Sequence, residues 1–377
     1  MKVPFNQPYM APISLKGAAP LRTQGKYYTA CKTEIKKRFG FNRVILTPTC
    51  THALEMVALC LNIQPGDEVI LPSYTYVSTA NAFALRGAKL VFVDSNPNHP
   101  SIDINKIEQA ITQKTKAIVV VHYGGAAMDY NGLKRLKKKV AIPLVEDAAH
   151  CFGSKAGKNF IGSVGDFSTF SFHETKNITC GQGGALIVNN VGFWDQVNLI
   201  AQCGTDKFDF IKNKVGFYSW KALGSNSLLA EPLCAILLAN IKLSERINNR
   251  RKKLWLKYHR LLQPLQVAGY IQMPPEELTG NGHIFYLLTK SREQRDELIR
   301  HLKSNQMEAT FHYYPLHLSS FIVKNKKPVS LKNTEIFGER LVRLPLFYEL
   351  SDKDQKEVIA RVKEFYLIGA KTPSTSK

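Results

Sequence analysis

The sequence predicts an α/β fold, a mostly parallel sheet between helices, followed by a smaller C-terminal α+β domain. Three observations predict it. Short apolar runs alternate with amphipathic helical stretches through the first two-thirds of the chain, which is the order of βαβ units. Several of those runs are too continuously apolar to have one wet face, which places them in a sheet covered on both sides. With 377 residues, the chain also exceeds the ~250–300 at which single cores stop growing, so a second unit is expected.

In chain order, strands are expected at Val44–Leu46, Glu68–Leu71, Lys89–Val93, Ala117–Val121, Ile142–Val145, Phe167–Phe172 and Ala185–Val188. Between them Leu54, Val57, Ala58 and Leu61 follow helical spacing, as do Tyr76, Ala80, Phe83 and Ala84. The pattern changes near residue 244. Ile247, Leu254, Tyr258 and Leu261 form a long helical stripe, ended by a Pro/Glu/Gly-rich break at 264–282. An alternating strand (His283–Leu288), a charged helix (Arg292–Ser304) and a short strand near Ala309–His312 follow. Ser351 and Asp354 form a capping box that starts the last helix. The expected division is 1–243, a large domain with an N-terminal arm; 244–370, a small domain; and 371–377, a tail that should fray.

Composition narrows the function. At 44% hydrophobic and 21% charged residues, the chain is neither disordered, collagen-like nor a small disulfide scaffold. No stretch has the apolar length of a membrane-spanning helix, and the opening MKVPFNQPYMAPISLKG carries prolines where a signal peptide needs an apolar core. A soluble, cytoplasmic protein without membrane insertion is expected. Seven scattered cysteines without a Cys-x-x-Cys pair fit reduced thiols, not a disulfide or zinc framework, and no metal is expected. The net charge is +21. Its basic clusters, such as Lys137, Lys138 and Lys139, lack interleaved aromatics or a recognition motif, so they are read as solvated surface with no specific nucleic-acid partner.

Three segments carry chemistry. Thr47-Pro-Thr-Cys-Thr51 lies between a strand and a helix, where free N–H groups and small hydroxyls cradle an anion. Thr51 is the expected phosphate contact; the alternative is that these threonines only cap the helix. Ile142-Pro-Leu-Val-Glu-Asp147 is a strand ending in acids, and open α/β sheets bind ligands beyond their strands' carboxyl ends. Asp147 would there hold a cationic ring nitrogen, unless it is a helix N-cap. Phe167-Ser-Thr-Phe-Ser-Phe172 leads into Lys176 with glycines behind it. Most lysines are solvated, but one at the edge of a desolvated pocket becomes a nucleophile toward aldehydes. There is no G-x-x-x-x-G-K-[ST] loop and no strand-linked G-x-G-x-x-G. An anion cradle, an acid for a pyridinium nitrogen and a lysine for an aldehyde are together what pyridoxal 5'-phosphate requires.

PSYTYVSTANAFALRGAKLVFVD, VEDAAH, GDFSTFSFHETKN and FHYYPLH occur in the order found in the DegT/DnrJ/EryC1 sugar aminotransferases, and the chain resembles that family over nearly its whole length. The resemblance implies the fold type I PLP-dependent aminotransferase scaffold. It makes Lys176 the covalent-attachment lysine and Asp147 the partner of the ring nitrogen. Tyr76 stacks on the ring, Cys50, Thr51 and Ser171 hold the phosphate, and His150 lies near the phenolic oxygen. Asn226 reaches the phosphate of a neighbouring subunit's cofactor, which implies a homodimer with shared active sites. His173, Tyr313 and His317 are the implied substrate contacts.

HETKN resembles the branch that takes L-glutamate and the dTDP-keto sugar dTDP-4-oxo-6-deoxyglucose to dTDP-4-amino-4,6-dideoxygalactose for surface glycans. Another nucleotide-linked keto sugar, amination at C3, and a basic nucleic-acid or membrane-surface binder on the same fold are the alternatives. Part of the positive charge would serve diphosphate capture, with Lys221 and Arg22 as candidates. Three positions depart from the family pattern: Gln182, Ser227 and Pro232. A proline inside a helix costs ~3 kcal/mol unless it falls in the first turn.

Overall fold

The computed structural model describes residues 2–12, 24–126, 129–324 and 329–369. Arg22 and the tail 371–377 lie outside the described residues. Seven strands form one sheet: β1 Val44–Thr47, β2 Glu68–Pro72, β3 Lys89–Val93, β4 Thr115–Val121, β5 Leu144–Asp147, β6 Phe167–Ser171 and β7 Gly184–Val188, in the order β3-β2-β4-β5-β6-β7-β1. These are the strands the apolar runs predict, with ends moved by no more than two residues. Neighbours from β3 to β6 pair in parallel, whereas β7 runs antiparallel to both β6 and β1. The reason is local. Only the loop 172–183 joins β6 to β7, without the crossover helix that a parallel return needs.

Alternate residues along the strands enter different cores, as the two-residue period requires. Ile118, Val120 and Leu144 pack with Tyr28, Cys31 and Ile35 of α1 (Lys26–Phe39) on one face. Ala117, Val119 and Val145 pack with Leu54, Val57 and Ala58 of α2 (Cys50–Cys60) on the other. Fully burying one of these larger aliphatic side chains contributes ~1.5–3 kcal/mol. The helix α3 (Val77–Ala84) starts directly after Tyr76. Pro232 falls in the first turn of α4 (Glu231–Lys242), where its missing N–H costs nothing.

A separate core joins Val3 of the N-terminal arm with Leu254, Tyr258, Phe285, Leu287, Val342, Leu344, Val358 and Val362. They come from α5 (Ser244–Val267), the antiparallel pair β8 (Phe285–Leu288) and β9 (Leu341–Leu344), and α6 (Asp352–Gly369). Two expectations need correction. α5 runs through Pro264 to Val267 instead of breaking at the proline, because Leu262 and Leu265 are buried in this core and hold the last turn against it. The segment 309–312 makes only a single bridge, Thr310 to Arg343, before the chain leaves the sheet. The capping box is present: Asp354 N donates to Ser351 Oγ at 3.0 Å, and Ser351 Oγ donates to Asp354 Oδ2 at 2.7 Å.

Candidate active site

A cavity of about 420 Å³ opens beyond the carboxyl ends of β1, β2, β4, β5 and β6, with residues near β8 and β9 forming its opposite wall. Open parallel sheets place ligands at such an end. Cys50, Thr51, Tyr76, Asp147, His150, Ser171, His173, Lys176 and Tyr313 all line it. Asn226 does not; it lies exposed, in a bridge with Gln202. His317 does not either. It is fully buried, with Nδ1 2.7 Å from Ser73 Oγ and Nε2 3.3 Å from Glu335 Oε1. Its structural place is therefore that of a pin between the 315–318 turn and the end of β2, away from the cavity wall.

The N-terminus of α2 settles which threonine does what. Thr49 is the cap, its Oγ1 accepting from His52 N at 3.0 Å. Thr51 is left facing the cavity, donating to Ser78 Oγ at 2.8 Å. The N–H groups of Cys50 and Thr51 precede the first intrahelical hydrogen bond and remain available to an anion. A Cβ at Gly184 would sit 2.5 Å from Cys50 N, so only glycine lets β7 pass this close to the helix end.

Asp147, 5% exposed at the end of β5, accepts from Thr79 Oγ1 at 2.7 Å and from Ala149 N at 3.1 Å. Burial raises its carboxyl above the usual range, while these donors and nearby Lys176 pull it back. Thr75 Oγ1 lies 2.8 Å from Thr79 Oγ1 and extends the chain of hydroxyls.

Lys176 sits on the loop that turns β6 into β7. Its N–H donates to His173 O at 2.9 Å, and Phe172 N donates to Gly183 O at 2.8 Å, so the loop closes on itself. The next residue, Asn177, donates to Asn248 Oδ1 and Asn281 O, both at 3.0 Å, with its Oδ1 2.9 Å from His283 Nδ1. That anchor fixes the backbone from which Lys176 reaches. The half-buried amine has no ion-pair partner among the described residues. Burial depresses its pKa to about 8, with Cys50 and Asp147 opposing the shift.

Three imidazoles near it, those of His150, His283 and His312, are biased by burial toward the neutral form. Burial pushes His150 and His283 well below the usual histidine range, and also lowers His312. His150 Nδ1 accepts from Gly124 N at 3.2 Å, and its ring lies 4.6 Å from that of His283. Tyr123 Oη lies 3.2 Å from His312 Nδ1.

Sequence reasoning missed Thr75, Ser78 and Thr79, although all three follow the end of β2, where the strand-end rule points. It also missed Arg251, His283 and Arg343, which come from distant segments with no local signature. Of the two residues offered for diphosphate capture, Lys221 instead pairs with Asp206 at 3.5 Å.

Residues 17–363 match the DegT/DnrJ/EryC1/StrS aminotransferase family. The pleiotropic regulatory protein of Geobacillus stearothermophilus is 34% identical over 320 residues, which cover 84% of this chain and 83% of that protein. Among solved structures, the aminotransferase TlmJ from Streptoalloteichus hindustanus has a TM-score of 0.89 at 26% identity, covering 98% of this chain and 100% of that one. NtdA from Bacillus subtilis, solved with the cofactor PMP bound, has a TM-score of 0.85 at 26% identity, covering 93% of this chain and 80% of that one.

Proposed function

The chain belongs to the DegT/DnrJ/EryC1/StrS aminotransferase family, and as a pyridoxal-phosphate-dependent sugar aminotransferase of that family we propose that it acts on one acceptor in particular. It transfers the amino group of L-glutamate to C4 of dTDP-4-oxo-6-deoxy-D-glucose, giving dTDP-4-amino-4,6-dideoxygalactose for surface-glycan synthesis in the cytoplasm. One observation carries the chemistry. A lysine amine depressed to about 8 faces the same cavity as a buried, hydrogen-bonded carboxylate and a helix N-terminus with free donors. The choice of sugar and carbon rests on the HETKN segment around Lys176 and its neighbour His173.

These residues fit pyridoxal phosphate by their donor set. The N–H groups of Cys50 and Thr51, with the hydroxyls of Thr51, Ser78 and Ser171, suit a phosphate. Asp147 suits a cationic ring N–H, and the faces of Tyr76 and His150 suit a flat ring. When bound, the cofactor supplies an electron sink for the carbanion left when the amino-bearing carbon loses its proton. Asp147, fixed by Thr79 and Ala149, keeps the ring nitrogen protonated. With a pKa near neutrality, Lys176 Nζ can both take a proton from the donor carbon and deliver one to C4 of the sugar, work that contributes ~10²–10⁴-fold.

The enzyme works as a homodimer in this reading, with Asn226 serving the neighbouring site. Support comes from the same stretch of chain, where Phe217 and Trp220 are 77% and 73% exposed, with Leu223 beside them. Such apolar exposure marks an interaction surface.

The deciding experiment supplies purified enzyme with L-glutamate and dTDP-4-oxo-6-deoxyglucose and assigns the product by NMR. A 4-amino product of galacto configuration is expected. An amine at C3, or turnover only with a different nucleotide sugar, overturns the substrate assignment.

A further inference from the structure

The basic excess is not paired evenly over the molecule. Lys137 and Lys139, from a cluster that reads as solvated surface, pair with Asp166 and Glu108. The outer face of α5 is different. Arg246, Arg250, Lys253, Lys257 and Arg260 are spaced by four, three, four and three residues, which puts five cations on one stripe of the helix. At 1.5 Å per residue the stripe runs for about 21 Å. Trp255 and Leu262 face the other way, buried in the core of the small domain.

Arg246, Lys253 and Arg260 are exposed and form no ion pair among the described residues. Arg250 and Lys257 share a single carboxylate, Asp352, at 3.8 and 3.0 Å. Two open depressions lie along the stripe and meet at Lys253. One, of about 640 Å³, runs from Arg246 and Arg250 to Tyr348 and Ser351; the other, of about 600 Å³, lies beside Lys257 and Arg260. Each is lined by one acid that pairs with no cation of the stripe: Glu349, which accepts from Gln7 Nε2 at 3.3 Å, and Glu276, 3.9 Å from His259 Nδ1. On the flank of the helix, burial and then neighbouring Lys155 lower the pKa of Lys252, so the positive face continues there.

We propose that this face of α5 is a docking surface for an anionic phospholipid bilayer, which holds the enzyme at the membrane without being entered by it. The complementarity is one of charge. Like charges set side by side repel one another in the free protein, and a plane of phosphate headgroups relieves that repulsion while the cationic groups stay hydrated. The guanidinium groups of Arg246 and Arg260 can also each bond two phosphate oxygens at once. The contact is peripheral, since no helix among the described residues is long and apolar enough to cross a membrane. A nucleic acid fits less well. Leu256, 38% exposed, is the large apolar side chain beside the stripe, and the rings of Trp255 and Tyr258 are buried where no base can stack on them. The inference does not depend on the acceptor proposed above.

The test floats the full-length, cofactor-loaded enzyme with vesicles of phosphatidylglycerol and phosphatidylcholine in equal parts, and with vesicles of phosphatidylcholine alone. Binding is expected to the mixture only, and high salt should abolish it. The triple variant Arg246→Glu, Lys253→Glu, Arg260→Glu should bind the mixture at least about 100-fold more weakly, since each cation near such a surface contributes about fivefold. Its melting temperature and its transamination rate without vesicles should match the wild type, because none of the three residues lines the active-site cavity. If the charge reversals lower the melting temperature, the corresponding triple glutamine variant keeps the helix and should still lose most of the binding. A control, Lys36→Glu, Lys37→Glu, Lys138→Glu, alters the net charge equally at exposed lysines elsewhere and should keep most of the binding. Equal losses in the α5 variant and the control would assign the effect to net charge and overturn the docking face. Failure of the wild type to bind the mixed vesicles, or a duplex oligonucleotide that binds α5 more tightly and displaces them, would overturn the bilayer as the partner.

Discussion

The two walls of the cavity are built on opposite terms. On the sheet side the groups around Asp147 and the start of α2 satisfy one another, Asp147 with Thr79 and Ala149, Thr79 with Thr75, Thr51 with Ser78, although His122 Nδ1 and Thr169 Oγ1 stay buried and unpaired. On the side of β8 and β9, Arg343 Nε is buried and unpaired in the cavity lining. The first wall is organised before anything binds, as a site for a permanently held cofactor must be. Fixed dipoles cost no reorganisation when charge develops. The second wall keeps donors unspent, which suits ligands that come and go, since an orphaned buried donor is repaid when a ligand pairs with it. Lys176 stands between them. Breaking the first wall should therefore damage chemistry for every substrate, while breaking the second should discriminate among them.

The largest effect expected is the loss of Lys176. Lys176→Ala and Lys176→Arg should abolish transamination while the protein stays folded, because neither side chain can bond an aldehyde and then move the proton. Borohydride reduction followed by peptide mapping should place the cofactor on Lys176. Finding it on another lysine would remove the residue on which the comparison turns.

Asp147→Asn comes next, with a loss of ~10²–10³ in kcat. The amide retains the shape of the site but cannot hold the ring nitrogen protonated. Both half-reactions should suffer alike, since the residue belongs to the preorganised wall. A loss confined to the donor half-reaction would contradict that assignment.

The sign of the Lys176 shift sets a third, smaller effect. Its pKa falls from the ordinary lysine value to about 8, so the neutral, nucleophilic amine predominates above that pH instead of only in strong alkali. Stopped-flow capture of pyridoxal phosphate by cofactor-free enzyme should slow about tenfold per pH unit below 8 and level off above it. A plateau reached only near pH 10 would mean that the amine is solvated.

The same contrast explains what was legible in the sequence. Thr51 after β1, Asp147 at the end of β5 and Lys176 after β6 each follow a strand, so a strand, its end and a polar residue could be recognised together, whereas Thr75, Ser78 and Thr79 beyond β2 were missed. Even there the sequence could not decide which threonine capped α2, because Thr49 and Thr51 differ only in where the helix begins. The second wall is assembled across long separations. His317 meets Ser73, 244 residues away in the chain, and nothing in FHYYPLH told a pin from a cavity residue. Arg343 lies in β9, a strand that the sequence reading did not anticipate, and its Nε is seen to lack a partner only in the fold. β7 was legible as a strand, while its reversed direction depended on the loop length that carries Lys176.

The smallest effect tests whether hydrogen bonds within the first wall act on charge or only on shape. Thr79→Val removes the hydroxyl that donates to Asp147 Oδ2 at 2.7 Å while keeping nearly the same volume. Burial already raises the Asp147 carboxyl, and Thr79 is the largest of the influences that lower it. Without the hydroxyl, the carboxyl should rise further. More of it is then protonated at a given acidic pH, and a protonated Asp147 cannot hold a cationic ring nitrogen. The acid limb of kcat should move to higher pH, with a loss at acidic pH that disappears as the pH rises and the carboxyl ionises. A loss of the same size at every pH would assign Thr79 to packing. The first wall would then be preorganised by shape at this position and by hydrogen bonding only through the backbone N–H of Ala149.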